Sequence, residues 1–278
     1  MSSNLKPQRV ILPGADEHIF RNPFLGVTEE RVYSADQRSC VENSARVYNR
    51  KTNQNESFKL ACPQKGNRCE WSCLNGKLFH YCQKESSKNI YKVDPKGNAL
   101  VKLEDREFVN KLLKRTKSFF RGDFNGSHIK GTINGSHQLY FLELEKPFRV
   151  PNERFEASFI YNERVYMIRH YNDVLKFYSS GVDDDEYEIA EEDFTLNGVN
   201  MDSMIEQTLV VGHTLFVMGV YNGLNCFKVD MRSKSFEELP FKHLKPKAIC
   251  GFGTNLYFTD ETPEVLRYID LLPYADQA

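Results

Sequence analysis

The chain has 278 residues, with 37 lysines and arginines against 38 aspartates and glutamates and a formal charge of −1. That balance excludes a global attraction to nucleic acid or to an anionic membrane surface. No window approaches the ~18 apolar residues of a membrane-spanning helix, and Met1 to Pro13 lacks the basic-then-apolar layout of a secretory leader, so the composition reads as soluble and cytoplasmic.

Along the chain one short signature recurs: an apolar residue followed by an aromatic, usually just after a tight-turn sequence. It is read at Val32-Tyr33, Leu78-Phe79, Phe119-Phe120, Val165-Tyr166, Leu215-Phe216 and Leu256-Tyr257, at spacings of 46, 41, 46, 50 and 41 residues. A period of that length is characteristic of propeller blades. Calling these the b strands, returning c strands follow at Ala45-Arg46-Val47-Tyr48, Ile90 to Asp94, Leu139 to Leu142, Leu175 to Tyr178, Cys226 to Asp230 and Leu266 to Asp270. Outer d strands are expected at Ser57 to Leu60, Ala99 to Leu103, Phe148 to Val150, Tyr187 to Ile189 and Ser235 to Leu239. Inner a strands precede each b strand and end in turn sequences such as Asn75-Gly76, where a type I′ turn needs positive φ at both central positions. The sixth repeat has no d strand of its own. The apolar run Gln8 to Pro13 is placed to supply it. The expected fold is all-β, a six-bladed β-propeller closed by the N-terminal strand, with residues 1–278 forming a single domain.

The b and c strands together resemble the kelch repeat. The fifth repeat carries the resemblance furthest, from Leu215-Phe216-Val217-Met218-Gly219 through Phe227-Lys228-Val229-Asp230 to Phe236-Glu237-Glu238-Leu239-Pro240. Gly219 stands where the family has a glycine pair, and Phe58 and Phe236 stand where it has a d-strand Trp. The resemblance implies a non-enzymatic protein-binding scaffold or receptor, acting as a monomer on a protein or peptide partner and carrying no cofactor.

Strand alternation puts the b–c and d–a connections on one face and the a–b and c–d connections on the other. Gly122 to Gln138 reads as a long b–c loop in the third repeat, holding His128, Lys130 and His137. On the same face the pattern places Arg38, Lys88, Arg154, His170 and Asn172, a mildly basic, hydrogen-bonding recognition surface. Eight acids between Asp183 and Asp193 are read as solvated. The basic run Lys111 to Arg121 suggests nucleic acid, but Phe119 and Phe120 are assigned there to the core, so nucleic acid is not an expected partner.

An alternative reading is chemical. Nine or ten residues before successive b-strand aromatics stand Glu70, Asn110, Glu156 and Glu206, whose oxygens could hold calcium or magnesium on the propeller axis. Six-bladed lactone hydrolases are similar in placing a metal there, which implies a metal-dependent hydrolase. No His-Glu-x-x-His, Gly-x-Ser-x-Gly or phosphate-loop sequence is present. Of seven cysteines, five (Cys40, Cys62, Cys69, Cys73, Cys82) fall in the first two repeats. Cys69 and Cys73 on one strand would sit about 13 Å apart at ~3.3 Å per residue, too far to share an ion, so buried free thiols are expected.

Overall fold

The structure is a computed structural model. It describes residues 7–11, 23–36, 44–52, 54–61, 68–84, 87–94, 96, 98–103, 127–133, 136–183, 189–201, 203–260 and 265–276. These residues form six small antiparallel sheets in two compact units. One unit spans Met1–Leu103 with Lys245–Pro273, the other Glu104–Leu244 with Tyr274–Ala278.

The first unit begins with β1 (Gln8–Ile11). A sheet of β2 (Pro23–Val27), β3 (Arg31–Asp36), β4 (Ser44–Asn49) and β5 (Gln54–Ala61) follows, then a second of β6 (Arg68–Leu74), β7 (Lys77–Lys84), β8 (Ser87–Val93) and β9 (Leu100–Lys102). In the second unit β10 (His128–Ile133), β11 (Ser136–Phe141) and β12 (Lys146–Arg149) make a three-stranded sheet. It is followed by β13 (Ala157–Tyr161), β14 (Arg164–Tyr171), β15 (Val174–Gly181) and β16 (Glu191–Asn197), then by β17 (Gln207–Val211), β18 (Thr214–Val220), β19 (Leu224–Asp230) and β20 (Ser235–Glu238). The chain returns to the first unit for β21 (Ala248–Phe252), β22 (Asn255–Thr259) and β23 (Val265–Asp270). There β1 adds to the free edge of β23, from Gln8↔Tyr268 to Ile11↔Val265. Six meanders in chain order, the last completed by the first strand, are the blades of a six-bladed β-propeller closed by the N-terminal strand, as the repeat predicts.

Burial explains the signature. Adjacent strand residues point to opposite faces of a sheet, and both members of each pair are buried: Val32 and Tyr33, Leu78 and Phe79, Val165 and Tyr166, Leu215 and Phe216, Leu256 and Tyr257. A strand with a single covered face needs only alternate apolar residues, whereas these sheets are covered on both. β18 is buried at every position from Thr214 to Gly219. Two-residue turns join the inner strands to the next, and Asn75 with Gly76 has φ of 44° and 75°, the pair of positive values a type I′ turn demands. In the first unit Arg50 bridges two sheets, donating from Nη1 to Thr28 O at 2.9 Å and from Nη2 to Tyr257 Oη at 3.0 Å.

The third repeat departs from the sequence reading. Phe119-Phe120 lies outside the described residues, and the strand taken as c is the b strand: β11 carries the buried pair Leu139 and Tyr140 directly after Asn134-Gly135. β10 is its inner partner, since Ser127 Oγ at its start accepts from both the amide and the hydroxyl of Ser158 on β13, the inner strand of the next sheet. Ser127 to Ile133 is therefore mostly a hairpin arm, and the long b–c loop expected over Gly122 to Gln138 is not found among the described residues. This sheet has three strands among the described residues. Its outer edge is met instead by the fourth repeat's c–d connection, through a parallel bridge Arg149↔Ile189 and an Ala190 N–H to Arg149 O bond of 3.0 Å. The fourth outer strand is accordingly β16, later than the expected Tyr187 to Ile189. Glu191, Glu192 and Asp193 lie exposed on it rather than in a d–a loop.

Candidate functional site

Within the second unit the b–c and d–a connections of the fourth and fifth sheets gather at one end. β14 runs out through Arg169, His170 and Tyr171 into the turn Asn172-Asp173, with φ of 47° and 57°. β18 runs out into Tyr221-Asn222-Gly223, with φ of 53° at Asn222 and 135° at Gly223. The d–a connection after β16 is fastened to the first of these turns, for the amides of Gly198 and Val199 both donate to Asp173 O, at 2.8 and 2.9 Å. It then lies against β18 at Gly219, where a Cβ would stand 2.2 Å from Ser203 Oγ and 2.5 Å from Met204 O. Only glycine allows that approach.

This end leaves three large apolar side chains in solvent: Tyr171 at 64% exposure, Tyr221 at 58% and Met204 at 53%. Most other residues of that size in the unit are buried, so these three are candidates for contact with a partner. Arg169 pairs with Glu153 and its guanidinium lies over the Tyr171 ring, 5.8 Å from the centroid, which limits the rotamers the ring can adopt. Arg154 and Asn172 are exposed beside them, and His170 is half-buried with Nε2 unpartnered among the described residues.

Of the sequence-predicted surface, then, Arg154, His170 and Asn172 come together. His128 does not belong to it. It is 1% exposed, and its Nδ1 lies 3.1 Å from Ser127 Oγ and 3.2 Å from Ser158 Oγ. His137 is the second residue of β11, opposite Thr132 of β10, and so lies at the other end of its sheet. Lys130 lies within β10, Lys88 lies on β8 in the first unit, and Arg38 is outside the described residues. The tyrosines were missed, although the sequence signals them. Tyr171-Asn172-Asp173 and Tyr221-Asn222-Gly223 occupy the same place in successive repeats, and Tyr-Asn before a tight turn is not a core requirement.

Of the four candidate oxygen ligands, three lie among the described residues. Asn110 lies outside them, Glu70 is in the first unit, and Glu156 and Glu206 are in the second. Glu156 spends Oε2 on the Ile205 amide at 3.2 Å. Glu206 keeps contact with solvent but is crowded by protein, and this desolvation raises its carboxyl above the ordinary 4.5, partly offset by the Val220 amide. A raised folded-state pKa means the native protein holds the proton more tightly than the unfolded chain. The stability this gives is present below about pH 4.5 and is lost as pH climbs through the folded value. Glu206→Gln should therefore raise the melting temperature at pH 7 and leave it little changed at pH 4. A melting temperature that calcium or magnesium raises in the wild type and not in this variant would instead mark Glu206 as a ligand.

No family model matches the sequence, and no curated protein is similar to it. Among solved structures it is similar to a chain of a mitotic checkpoint complex, at 12% identity, 96% of this chain, 95% of that chain and a TM-score of 0.46. It is also similar to a chain of hydrazine synthase from Kuenenia stuttgartiensis, at 11% identity, 89% of this chain, 76% of that chain and a TM-score of 0.47. Likeness at this level carries nothing about function. Among the described residues no helix is long and apolar enough to cross a membrane.

Proposed function

We propose that this chain is a single-domain, kelch-like, non-enzymatic scaffold or receptor of the cytoplasm that binds a protein or peptide at the b–c and d–a end of its second unit. The observation that carries the reading is the repeated Tyr-Asn turn, which sets Tyr171 and Tyr221 into solvent from rigid strand ends, with Met204 on the adjoining connection. Exposed aromatics on rigid scaffolds lose little conformational entropy on binding, and tyrosine is enriched among residues that dominate interface energetics. Arg154, His170 and Asn172 supply polar contacts beside them. The five described cysteines are buried and in no disulfide, in keeping with a reducing compartment.

The test is proximity labelling and pull-down with the full chain and with a Tyr171→Ala, Tyr221→Ala double variant. Truncating two aromatic anchors at ~2 kcal/mol each should weaken a partner's affinity by a hundredfold or more, while the melting temperature stays within a degree or two. An unchanged partner set at unchanged affinity would rule this end out as the binding site.

A further inference from the structure

The first unit holds a buried cluster of three ligand-bearing side chains. Cys69 on β6 stands directly across from Cys82 on β7, with Sγ atoms 3.3 Å apart. His80 precedes Cys82 by two residues, so period-two alternation puts both on the same face of the sheet. One ligand atom from each of the three lies within 4.8 Å of the others. All three are closed off from solvent, at 2% exposure for Cys69 and 0% for His80 and Cys82.

The histidine decides what the cluster is for. A neutral imidazole carries one N–H donor and one acceptor nitrogen, and buried polar groups of this kind are ordinarily satisfied. In His80 neither Nδ1 nor Nε2 has a partner among the described residues. The ring is held in place instead by Trp71, 4.2 Å away between centroids, and by Tyr91 at 6.3 Å. A fixed, solvent-free imidazole beside two thiols lacks something to coordinate or to bond.

We propose that Cys69, His80 and Cys82 form a buried zinc site. Two thiolates and a neutral imidazole cancel the charge of Zn²⁺, so the filled site puts no net charge into the interior, whereas copper(I) would leave one negative charge there. Calcium and magnesium want oxygen ligands. Bond lengths of ~2.3 Å to sulfur and ~2.0 Å to nitrogen set ligand separations of roughly 3.5–4 Å about a tetrahedral ion, so the two sulfurs, 3.3 Å apart, would open slightly and the imidazole, within 4.8 Å of them, would close by about an ångström at most. Loading releases two thiol protons, one from each cysteine, and needs no oxidant. The fourth position goes to water or another small ligand, since no further His, Cys, Asp or Glu among the described residues joins the three. The expectation that these cysteines are idle rested on Cys69 and Cys73, which share a strand; the pair that meets lies across the ladder. A Cys69–Cys82 disulfide is the competing use of the two sulfurs, and it would leave His80 unpartnered.

The test uses the full chain purified with a mild reductant. Zinc released by a thiol-modifying reagent should approach one equivalent, and cobalt(II) added to zinc-free protein should give the near-ultraviolet sulfur-to-cobalt absorption of thiolate ligation. Cys82→Ser and His80→Gln should each lower bound zinc at least tenfold at limiting metal. Cys73→Ser, four residues along β6 from Cys69, should keep it. If the variants do not fold, the cobalt spectrum of the unaltered protein still decides. Wild-type protein with neither zinc nor a cobalt–thiolate band would overturn the site, as would Cys69–Cys82 disulfide in the reduced preparation by mass spectrometry.

Discussion

Removing residues 1 to 11 should lower the melting temperature by about 5–15 °C. The deletion strips β1 from β23 and opens the edge beside Leu266, which is 1% exposed in the intact fold. Losing a packed, hydrogen-bonded strand of four residues costs about 2–5 kcal/mol, and each kcal/mol is worth roughly 2–4 °C in a chain of this size. The freed edge of β23 is also a template for pairing with another chain, so the truncated protein should self-associate in a concentration-dependent way, visible by light scattering. A truncation that melts with the full chain and stays monodisperse would show that β1 does not close the fold.

The second large effect belongs to the core of the second unit. Phe177 is fully buried on β15, and its ring stacks on Phe194 of β16 with centroids 4.2 Å apart and planes 9° from parallel. Phe177→Ala removes both the transfer energy of the ring and the contact across the c–d pair, at about 3–5 kcal/mol. Urea unfolding should show a lower midpoint with an unchanged slope, since the area exposed on unfolding is nearly the same. Tyr171→Ala makes the contrast. At 64% exposure it should shift stability by no more than ~0.5 kcal/mol. A Phe177 variant as stable as wild type would mean that this stack does not hold the outer strand.

Blade number, strand order and closure were legible in the sequence because two-faced burial leaves a direct trace, an apolar–aromatic pair at the start of every b strand. The same trace misled in the third repeat. Phe119-Phe120 satisfies both the residue pattern and the expected spacing, while the true pair, Leu139-Tyr140, comes 61 residues after Leu78 and only 26 before Val165. The Asn-Gly sequence at 134 and 135, just before β11, is a better guide than periodicity, since its chemistry is local and insertions do not alter it. The surface was read less well. His128 has a loop-like sequence context, Asn125-Gly126-Ser127, yet its burial depends on Ser158 thirty residues away. The convergence of Cys69, His80 and Cys82 depends in the same way on a register, Cys69↔Cys82 and Trp71↔His80, that emerges only once the two strands are laid side by side.

The way the third sheet ends has a dynamic corollary. Its edge carbonyl at Arg149 is satisfied by Ala190, which immediately precedes β16. Any fluctuation that peels β16 from β15 must pull on that amide and bare the neighbouring sheet as well. Amides along β12, β15 and β16 would then exchange with solvent as one cooperative unit rather than blade by blade. Independent opening of single repeats, the default of stacked modules, is in this half of the chain replaced by a pair that breathes together.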